Sequence, residues 1–480
     1  MKYVVIFIYA FALLNVFVYS LAQLNLLFNF KKKKSASRPK RVYDTWPKVT
    51  VQLPIYNEAY VVERLIHNIV QFDYPKQLLE IQVLDDSTDE SFAVTQNLIE
   101  HYQKQGINIK HITRKNREGF KAGALKTGLK QAEGEFVAIF DADFLPKSDW
   151  LKQTLPHFYN DKIGVVQTRW GHLNRNDSLL TRIQAFALDF HFTIEQVGRN
   201  VGKHFINFNG TAGIWRTSCI YDAGNWQGDT LTEDLDLSYR AQLKGWEFVY
   251  LKDVVTPAEL PVIMSAARSQ QFRWNKGAAE NFGKNFKRVF LNRSISKTSK
   301  LHSFYHLLNS SMFMVILTLA ILSIPVLYIK FAHPELKYIF YGLSGLGIST
   351  LFFIIAYWYS FTSIFGKSFK GFFKFMGLFI LFFSVAMGLS LHNSIAVLEG
   401  HFKKKSAFIR TPKFNTILKG NTYINKEFNA THVIEFLLFI YFGYGIYSAF
   451  ETNDFGLIIF HLMLFFGFGF ISFKTLFSRY

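Results

Sequence analysis

Three carboxylates occupy four consecutive positions at Glu233, Asp234 and Asp236, inside the stretch 230–246. Acids gathered this closely in a cleft are candidates for catalytic work. The residues that follow read as a helix. Leu235, Leu237, Ala241 and Leu243 recur at helical spacing, Arg240 and Lys244 lie among them, and Gly245 supplies a stop. Thr230 or Thr232 would cap that helix and leave the acids in its first turn, where the dipole favours negative charge. Helix chemistry alone would account for acids here, so the reading depends on what accompanies them.

Two further acidic clusters do so. Asp85 and Asp86 follow the apolar run 79–84 (LEIQVL), and Asp141-Ala-Asp143 follows 135–140 (EFVAIF). Ligands of open parallel sheets bind at the carboxyl ends of strands. One of Asp85 and Asp86 is expected to cap the next helix and the other to face a pocket. Acids at i and i+2 on a turn can share one divalent cation, with a diphosphate filling its other positions. The basic, small-residue-rich stretch 114–128 would bring cations, Lys121 among them, toward a phosphate as a helix begins. In 208–215 (FNGTAGIW), Gly and Asn allow close backbone approach and the aromatics offer flat faces to a sugar; a tight turn into a core strand reads equally well. His191 and Glu195 lie at i,i+4, but without a matching third ligand they read as an ordinary surface pair.

The elements that must hold these groups alternate. Residues 49–54, 79–84, 107–112, 135–140, 163–170 and 247–251 read as strands, and 58–72, 91–103, 150–158 and 178–197 as helices, a pattern that begins with a βαβ unit. Residues 257–261 read as a turn. Residues 262–277 form an amphipathic helix carrying Gln270-Gln-Phe-Arg-Trp274, and basic residues continue to Lys300, as on helices lying along a membrane face.

Composition places this α/β segment among membrane helices. Half of the 480 residues are hydrophobic and 53 are Phe, concentrated at the N-terminus and beyond residue 307. The net charge is +19, yet Lys31–Lys34 and Lys403–Lys405 flank apolar runs, the pattern of cytoplasmic margins rather than of nucleic-acid binding. A single cysteine, Cys219, excludes an internal disulfide and reads as buried filler. Residues 3–30 are too long for a signal peptide core and carry their charge after the run, so they read as a spanning helix whose C-terminal end is cytoplasmic. Residues 307–329, 339–362, 432–450 and 455–477 are long enough to span. Residues 372–398 are interrupted by Gly388, Ser390, His392 and Asn393. They are expected to lie in the interface or re-enter, which keeps the basic stretch 399–428 in the cytoplasm.

Four sets of residues, Asp85-Asp86, Asp141-Ala-Asp143, Thr232-Glu-Asp234 and Gln270-x-x-Arg273-Trp274, stand in the order of one family's signature. Together they resemble the D, DxD, TED and QxxRW motifs of processive membrane β-glycosyltransferases. That family includes cellulose synthase; the words FNGTAGIWR, TEDLDLS and QQFRW are most similar to its cellulose-synthase-like A and C group, which includes glucomannan mannosyltransferases. The resemblance implies an α/β GT-A fold, a Rossmann-like mixed sheet, inserted between transmembrane helices. A spanning helix over 1–30 and a basic linker over 31–47 would precede the cytoplasmic catalytic domain, 48–257. Interface helices over 258–306 would lead to a membrane region, 307–480. It implies that Asp85, Asp86, Lys121, Asp141, Gln270 and Arg273 meet the nucleotide sugar and that Asp143, with Asp141, holds Mg²⁺ or Mn²⁺. Asp234 would be the general base, and Trp274, Gly210, Thr211 and Glu233 would meet the acceptor. Phe408-Ile-Arg-Thr-Pro-Lys413 is similar to the family's FxVTxK gating loop, with Arg410 where Val is usual, so Phe408, Thr411 and Lys413 would lie over the nucleotide. The implied reaction is inverting transfer of a hexose from UDP-glucose or GDP-mannose to a growing β-1,4-glucan, mannan or glucomannan, coupled to its export across a lipid membrane. A single-transfer glycolipid synthase of the ceramide-glucosyltransferase type is the alternative.

Overall fold

The computed structural model describes residues 1–32, 40–404 and 429–477, the last two without their side chains. After α1 (Lys2–Lys32), the chain builds β1 (Val49–Ile55), α2 (Val62–Val70), β2 (Leu79–Asp85), α3 (Ser91–Lys104) and β3 (Ile109–Thr113). Next come α4 (Phe120–Leu129), β4 (Phe136–Ile139), α5 (Trp150–Thr154), β5 (Ile163–His172), α6 (Leu179–Phe190) and α7 (Gln196–Val201). The domain closes with β6 (Gly213–Arg216), α8 (Thr217–Asp222), α9 (Glu233–Leu243), β7 (Glu247–Ala258) and the long α10 (Met264–Leu291).

The strands form one mixed seven-stranded sheet in the order β3-β2-β1-β4-β6-β5-β7. β1 to β4 run parallel, β6 is antiparallel to both neighbours, and β7 is parallel to β5. The apolar runs at β1, β2 and β4 are explained by burial on both faces. Val51, Leu53, Ile81, Phe136 and Phe140 feed one core, while Val137, Ile139, Phe208, Trp215 and Leu237 feed the other. Cys219 fills the second core as expected; a Cβ on Gly164 would come 2.5 Å from its sulfur.

Some boundaries move. β7 continues through Pro257 to Ala258, so 257–261 is not simply a turn. Pro is tolerated there because β7 is the edge strand. Residues 178–197 are not one α-helix: α6 passes through a π-helical turn, His191–Glu195, into α7. α10 runs past Gly277, which is a contact rather than a stop; a Cβ there would lie 2.6 Å from Thr232 Oγ1.

Beyond it lie α11 (Lys297–Leu307), α12 (Met312–Ala332), α13 (Lys337–Gly345), α14 (Ile348–Phe365), α15 (Phe369–Gly388), α16 (Ser390–His401), α17 (Ala430–Glu451) and α18 (Ile458–Phe477). Among the described residues, six helical stretches are long and apolar enough to cross a bilayer: Lys2–Lys32, Asn309–Ala332, Pro334–Phe365, Phe369–Gly388, Ala430–Glu451 and Ile458–Thr475. Contacts at the two ends of the bundle distinguish them. At the sheet-domain end, Arg175 lies over the Phe365 ring, Arg268 pairs with Glu435 at 2.9 Å, and α16 crosses α10 where Gly400 meets Lys276. At the far end, Lys2 approaches Glu335, the Tyr328 and Tyr444 hydroxyls bond at 2.7 Å, and Lys330 meets Asp454.

The path from Phe365 to α17 thus starts and finishes at the sheet-domain end. Within it, α15 packs Phe375 and Phe382 on Phe186 of α6, and Val385 in one cluster with Ile183. By length and composition α15 could cross a bilayer; it packs both on α6 of the sheet domain and, through Gly388, on α18, so labelling from the two faces decides whether it lies in the interface. The segment 372–398 is broken at Leu389, just after Gly388 meets the Gly467 backbone too closely for any side chain.

Single cysteines at Gly366 and Lys403 should therefore react with a membrane-impermeant maleimide from one face of oriented vesicles, and cysteines at Glu335 and Asn453 from the other. Labelling of positions 366 and 403 from opposite faces would make α15 a crossing helix.

Candidate active site

A cleft of about 230 Å³ opens at the carboxyl ends of β1 and β4, between α4, α9 and the start of α10. Its acidic walls come from three distant parts of the sequence. Asp141 and Asp143 follow β4, Glu233 and Asp234 open α9, and Asp86 follows β2. Lys121 from α4 sits among them, its Nζ donating to Asp141 Oδ1 at 2.5 Å and to the Gly210 carbonyl at 2.9 Å. Gln270, Arg273 and Trp274 line the cleft from successive turns of α10.

The start of α9 is built differently from the expected cap. Thr232 holds the N-cap position without a side-chain capping bond. Its hydroxyl instead accepts from Asn281 Nδ2 at 2.9 Å, and Asn281 also reaches the Thr232 carbonyl at 3.0 Å. Asp234 Oδ1 accepts from the Leu235 N–H at 2.8 Å, and Oδ2 turns toward Gly210. Gly210 has φ +77°, and a Cβ there would stand 3.0 Å from Asp234 Oδ2. Glycine is required both by that backbone conformation and by the approach of the carboxylate.

Electrostatics follow from crowding. Burial, then the neighbouring Glu233, pushes the Asp234 carboxyl up to about 7. Burial likewise raises Glu233. Lys121 is buried, which opposes its charge, but Asp141 and Glu233 more than offset this and hold its pKa above the usual lysine value. Burial lowers Arg273 despite nearby Asp141 and Glu233.

Not every expected residue faces the cleft. Asp86 does, and is gripped by Arg114, whose Nε donates at 2.9 Å while Nη2 reaches the other oxygen. Asp85 is buried behind the cleft, where it accepts from the Ser87 N–H at 2.8 Å and meets His111 at 3.0 Å. Neither caps α3; Asp89 accepts from the Ser91 N–H there. Thr211 is fully buried and accepts from the Asp141 N–H at 2.9 Å, so it shapes the Asp141 turn rather than lining the cleft. Phe408, Thr411 and Lys413 lie outside the described residues. His191 and Glu195 do pair, at 2.7 Å, but Glu195 is buried, so the pair is no surface feature.

The sequence reading passed over Tyr56, Arg117 and Glu259. The Arg117 guanidinium lies 3.2 Å from the Tyr56 ring centroid, giving the cleft a flat cationic wall. Glu259, just past β7, is held by Arg64 at 2.8 Å. The basic run 114–128 signalled Arg117; nothing local marks the other two. Among the described residues no three His, Cys, Asp or Glu groups are disposed to hold a metal. Asp141 and Asp143 still fit a hard cation that keeps waters and substrate phosphates as its other ligands.

A profile described as "Glycosyltransferase like family 2" matches residues 47–277. "Probable glucomannan 4-beta-mannosyltransferase 11" of Oryza sativa subsp. japonica is 46% identical over 268 residues, covering 54% of this chain and 46% of the relative. "Glucomannan 4-beta-mannosyltransferase 9" of Arabidopsis thaliana is 36% identical over 337 residues, covering 66% and 63%. The chain spans about half the length of most of the curated relatives it matches. Among solved structures, the mannosyltransferase PcManGT from Pyrobaculum calidifontis, in complex with GDP-Man and Mn²⁺, superposes with a TM-score of 0.56 at 19% identity. It covers 84% of this chain and 100% of its own, a likeness of fold.

Gly210→Ala should cost about 1 to 2 kcal/mol from the left-handed backbone alone. A lowered midpoint of thermal unfolding in detergent, against wild type, checks this.

Proposed function

We propose that this chain, whose residues 47–277 match the family 2-like glycosyltransferase profile and whose relatives include glucomannan mannosyltransferases, transfers a hexose from a nucleotide sugar to a growing β-linked polysaccharide, with inversion. The observation that carries this is the meeting of Asp141, Asp143, Glu233 and Asp234 in one cleft around Lys121. Asp234 is the base: its Oδ2 faces the cleft while Oδ1 is occupied by the helix N–H, and it takes the proton from the attacking acceptor hydroxyl. One displacement at the anomeric carbon suffices, so no carboxylate forms a covalent intermediate. Lys121 and Arg273 oppose the charge of the departing diphosphate. Asp143 and Asp141 would hold Mg²⁺ or Mn²⁺, which when bound stabilises the same developing charge.

Asp86 meets the nucleoside, with Arg117 and Tyr56 forming the wall beside it. Trp274 is assigned to the acceptor and Gln270, one turn earlier on α10, to the nucleotide sugar; both line the cleft. The mannosyltransferase relatives favour a mannose donor. The apolar helices support a membrane protein, and the lysines after α1 favour a cytoplasmic sheet domain by the positive-inside rule. A polar chain made there needs a protein path through the hydrocarbon, so synthesis and export are coupled.

Three results test the reading. Asp234→Asn should lower transfer by about 10²- to 10⁴-fold with little change in donor KM. Because the base works deprotonated and its pKa is raised to about 7, kcat/KM should rise with pH through an acid limb near neutrality. Glu233→Gln removes a like charge and should move that limb to lower pH. The product, sized after incubation with GDP-mannose or UDP-glucose and Mn²⁺, should be a polymer; a lipid carrying one sugar would establish the glycolipid alternative.

A further inference from the structure

Where α1 ends, α14 ends and α15 begins, cations gather that the transfer chemistry does not use. The Lys31 ammonium lies 3.9 Å from the Tyr359 ring centroid, and Lys367 is near enough to act electrostatically on the same tyrosine. The Phe365 ring has two cations over it, the Arg175 guanidinium at 5.3 Å and the Lys374 ammonium at 5.7 Å. Lys370, one turn before Lys374, is exposed.

Opposing charge is scarce here. Residues 336–398 contain no Asp or Glu. Among the described residues, Lys31, Lys367, Lys370 and Lys374 have no carboxylate partner. Arg175 does: both oxygens of the buried Asp189 hold it, at 2.7 and 2.8 Å, which gives the cluster one fixed edge. Like charges drawn together without acids among them leave room for an anion.

The surface between the cations is apolar. Phe369 is 81% exposed and Phe373 62%, and Phe365 and Phe372 are open as well. A soluble anion offers nothing to these rings. An anionic phospholipid offers a phosphate to the lysines and acyl chains to the rings, at the depth where apolar helices end.

We propose that Lys31, Lys367, Lys370 and Lys374 form a docking surface selective for an anionic phospholipid, whose phosphate they share and whose chains cover Phe369 and Phe373. Such docking requires that the apolar helices enter a bilayer and is independent of the transfer chemistry. The lysines converge on two neighbouring rings instead of spreading along a face, so the selectivity is local to the start of α15.

The test uses the full chain carrying Phe369→Cys, labelled there with a fluorophore while Cys219 stays buried, in phosphatidylcholine vesicles. Phosphatidylglycerol with a nitroxide near its headgroup should quench the fluorophore at about a fivefold lower lipid fraction than phosphatidylcholine with the same nitroxide. Lys367→Gln/Lys370→Gln/Lys374→Gln should bring the two lipids within about twofold, and arginine at the same three positions should keep the preference. Lys374→Gln alone should lose part of it, a readout that survives if the triple variant does not reconstitute. Lys287→Gln/Arg288→Gln/Arg293→Gln removes as many cations from the end of α10 and should leave the preference intact. Equal quenching by the two lipids with all lysines present would overturn the proposal. So would an equal loss in the two glutamine triples, which would show diffuse attraction. Displacement of the nitroxide phosphatidylglycerol by excess inorganic phosphate would also overturn it, by identifying a site for a soluble anion; no displacement is expected.

Discussion

The structure depends on holding like charges together. Asp141, Asp143, Glu233 and Asp234 converge with further acids on one cleft, and a Coulomb repulsion of this kind in a partly dry site would disperse them if the backbone were free to move. Two features prevent it. Lys121 and Arg273 supply opposing charge inside the cleft, and each acid is anchored through its own backbone to a buried element. The raised Asp234 pKa is the remaining strain. Its folded value lies above its unfolded one, so protonation favours the fold. That contribution is full below the unfolded pKa and is lost as pH rises through about 7. Keeping Asp234 charged above that range is therefore a small standing cost to stability, relieved when cationic groups or a cation approach.

The anchoring is most explicit along α10. Gly277, Glu280, Asn281, Lys284 and Asn285 fall on one face at helical spacing, and that face grips the strand of chain leading into α9. Glu280 accepts from the Leu231 N–H at 2.7 Å, Asn281 holds Thr232, and Lys284 reaches Asp229 and the fully buried Asp236. Asn285 meets the same Asp236 at 3.2 Å. One turn earlier, α10 carries Gln270, Arg273 and Trp274 into the cleft. A single rigid helix thus fixes the relative positions of the basic, aromatic and acidic groups, which loops of this length would not.

This division explains what was legible beforehand. The apolar runs of β1, β2, β4 and β5 are strong signals because both faces of the sheet are covered, and an acid just after such a run is easily read as facing a ligand. Asp86, Asp141 and Asp143 were found that way, and Asp234 from the acids crowded at a helix start. Asp85 and Thr211 were misplaced because the alternation at a strand end decides which of two neighbours points inward, and a shift of one residue reverses it. The buried setting of Glu195 was illegible for another reason. Periodicity of 3.6 assigns His191 and Glu195 to one helix face, but the π-turn adds a residue and Glu195 turns into the junction with α1. Tyr56 and Glu259 meet the cleft only through long-range pairing, which no local pattern carries.

The membrane helices are part of the same construction rather than an attachment to it. α1 crosses α7 backbone to backbone at Gly198 and makes a buried bond to Glu195 through Gln23; α17 sends Glu435 to Arg268, which also lies against His392 of α16. Both Arg268 and Glu435 are buried, so breaking the pair would strand a charge, and neither helix can slide without moving α10. The groups that α10 presents to the cleft are therefore referenced to helices whose depth is set by the bilayer. It follows that the position of the cleft relative to the apolar helices is a built-in dimension of the fold.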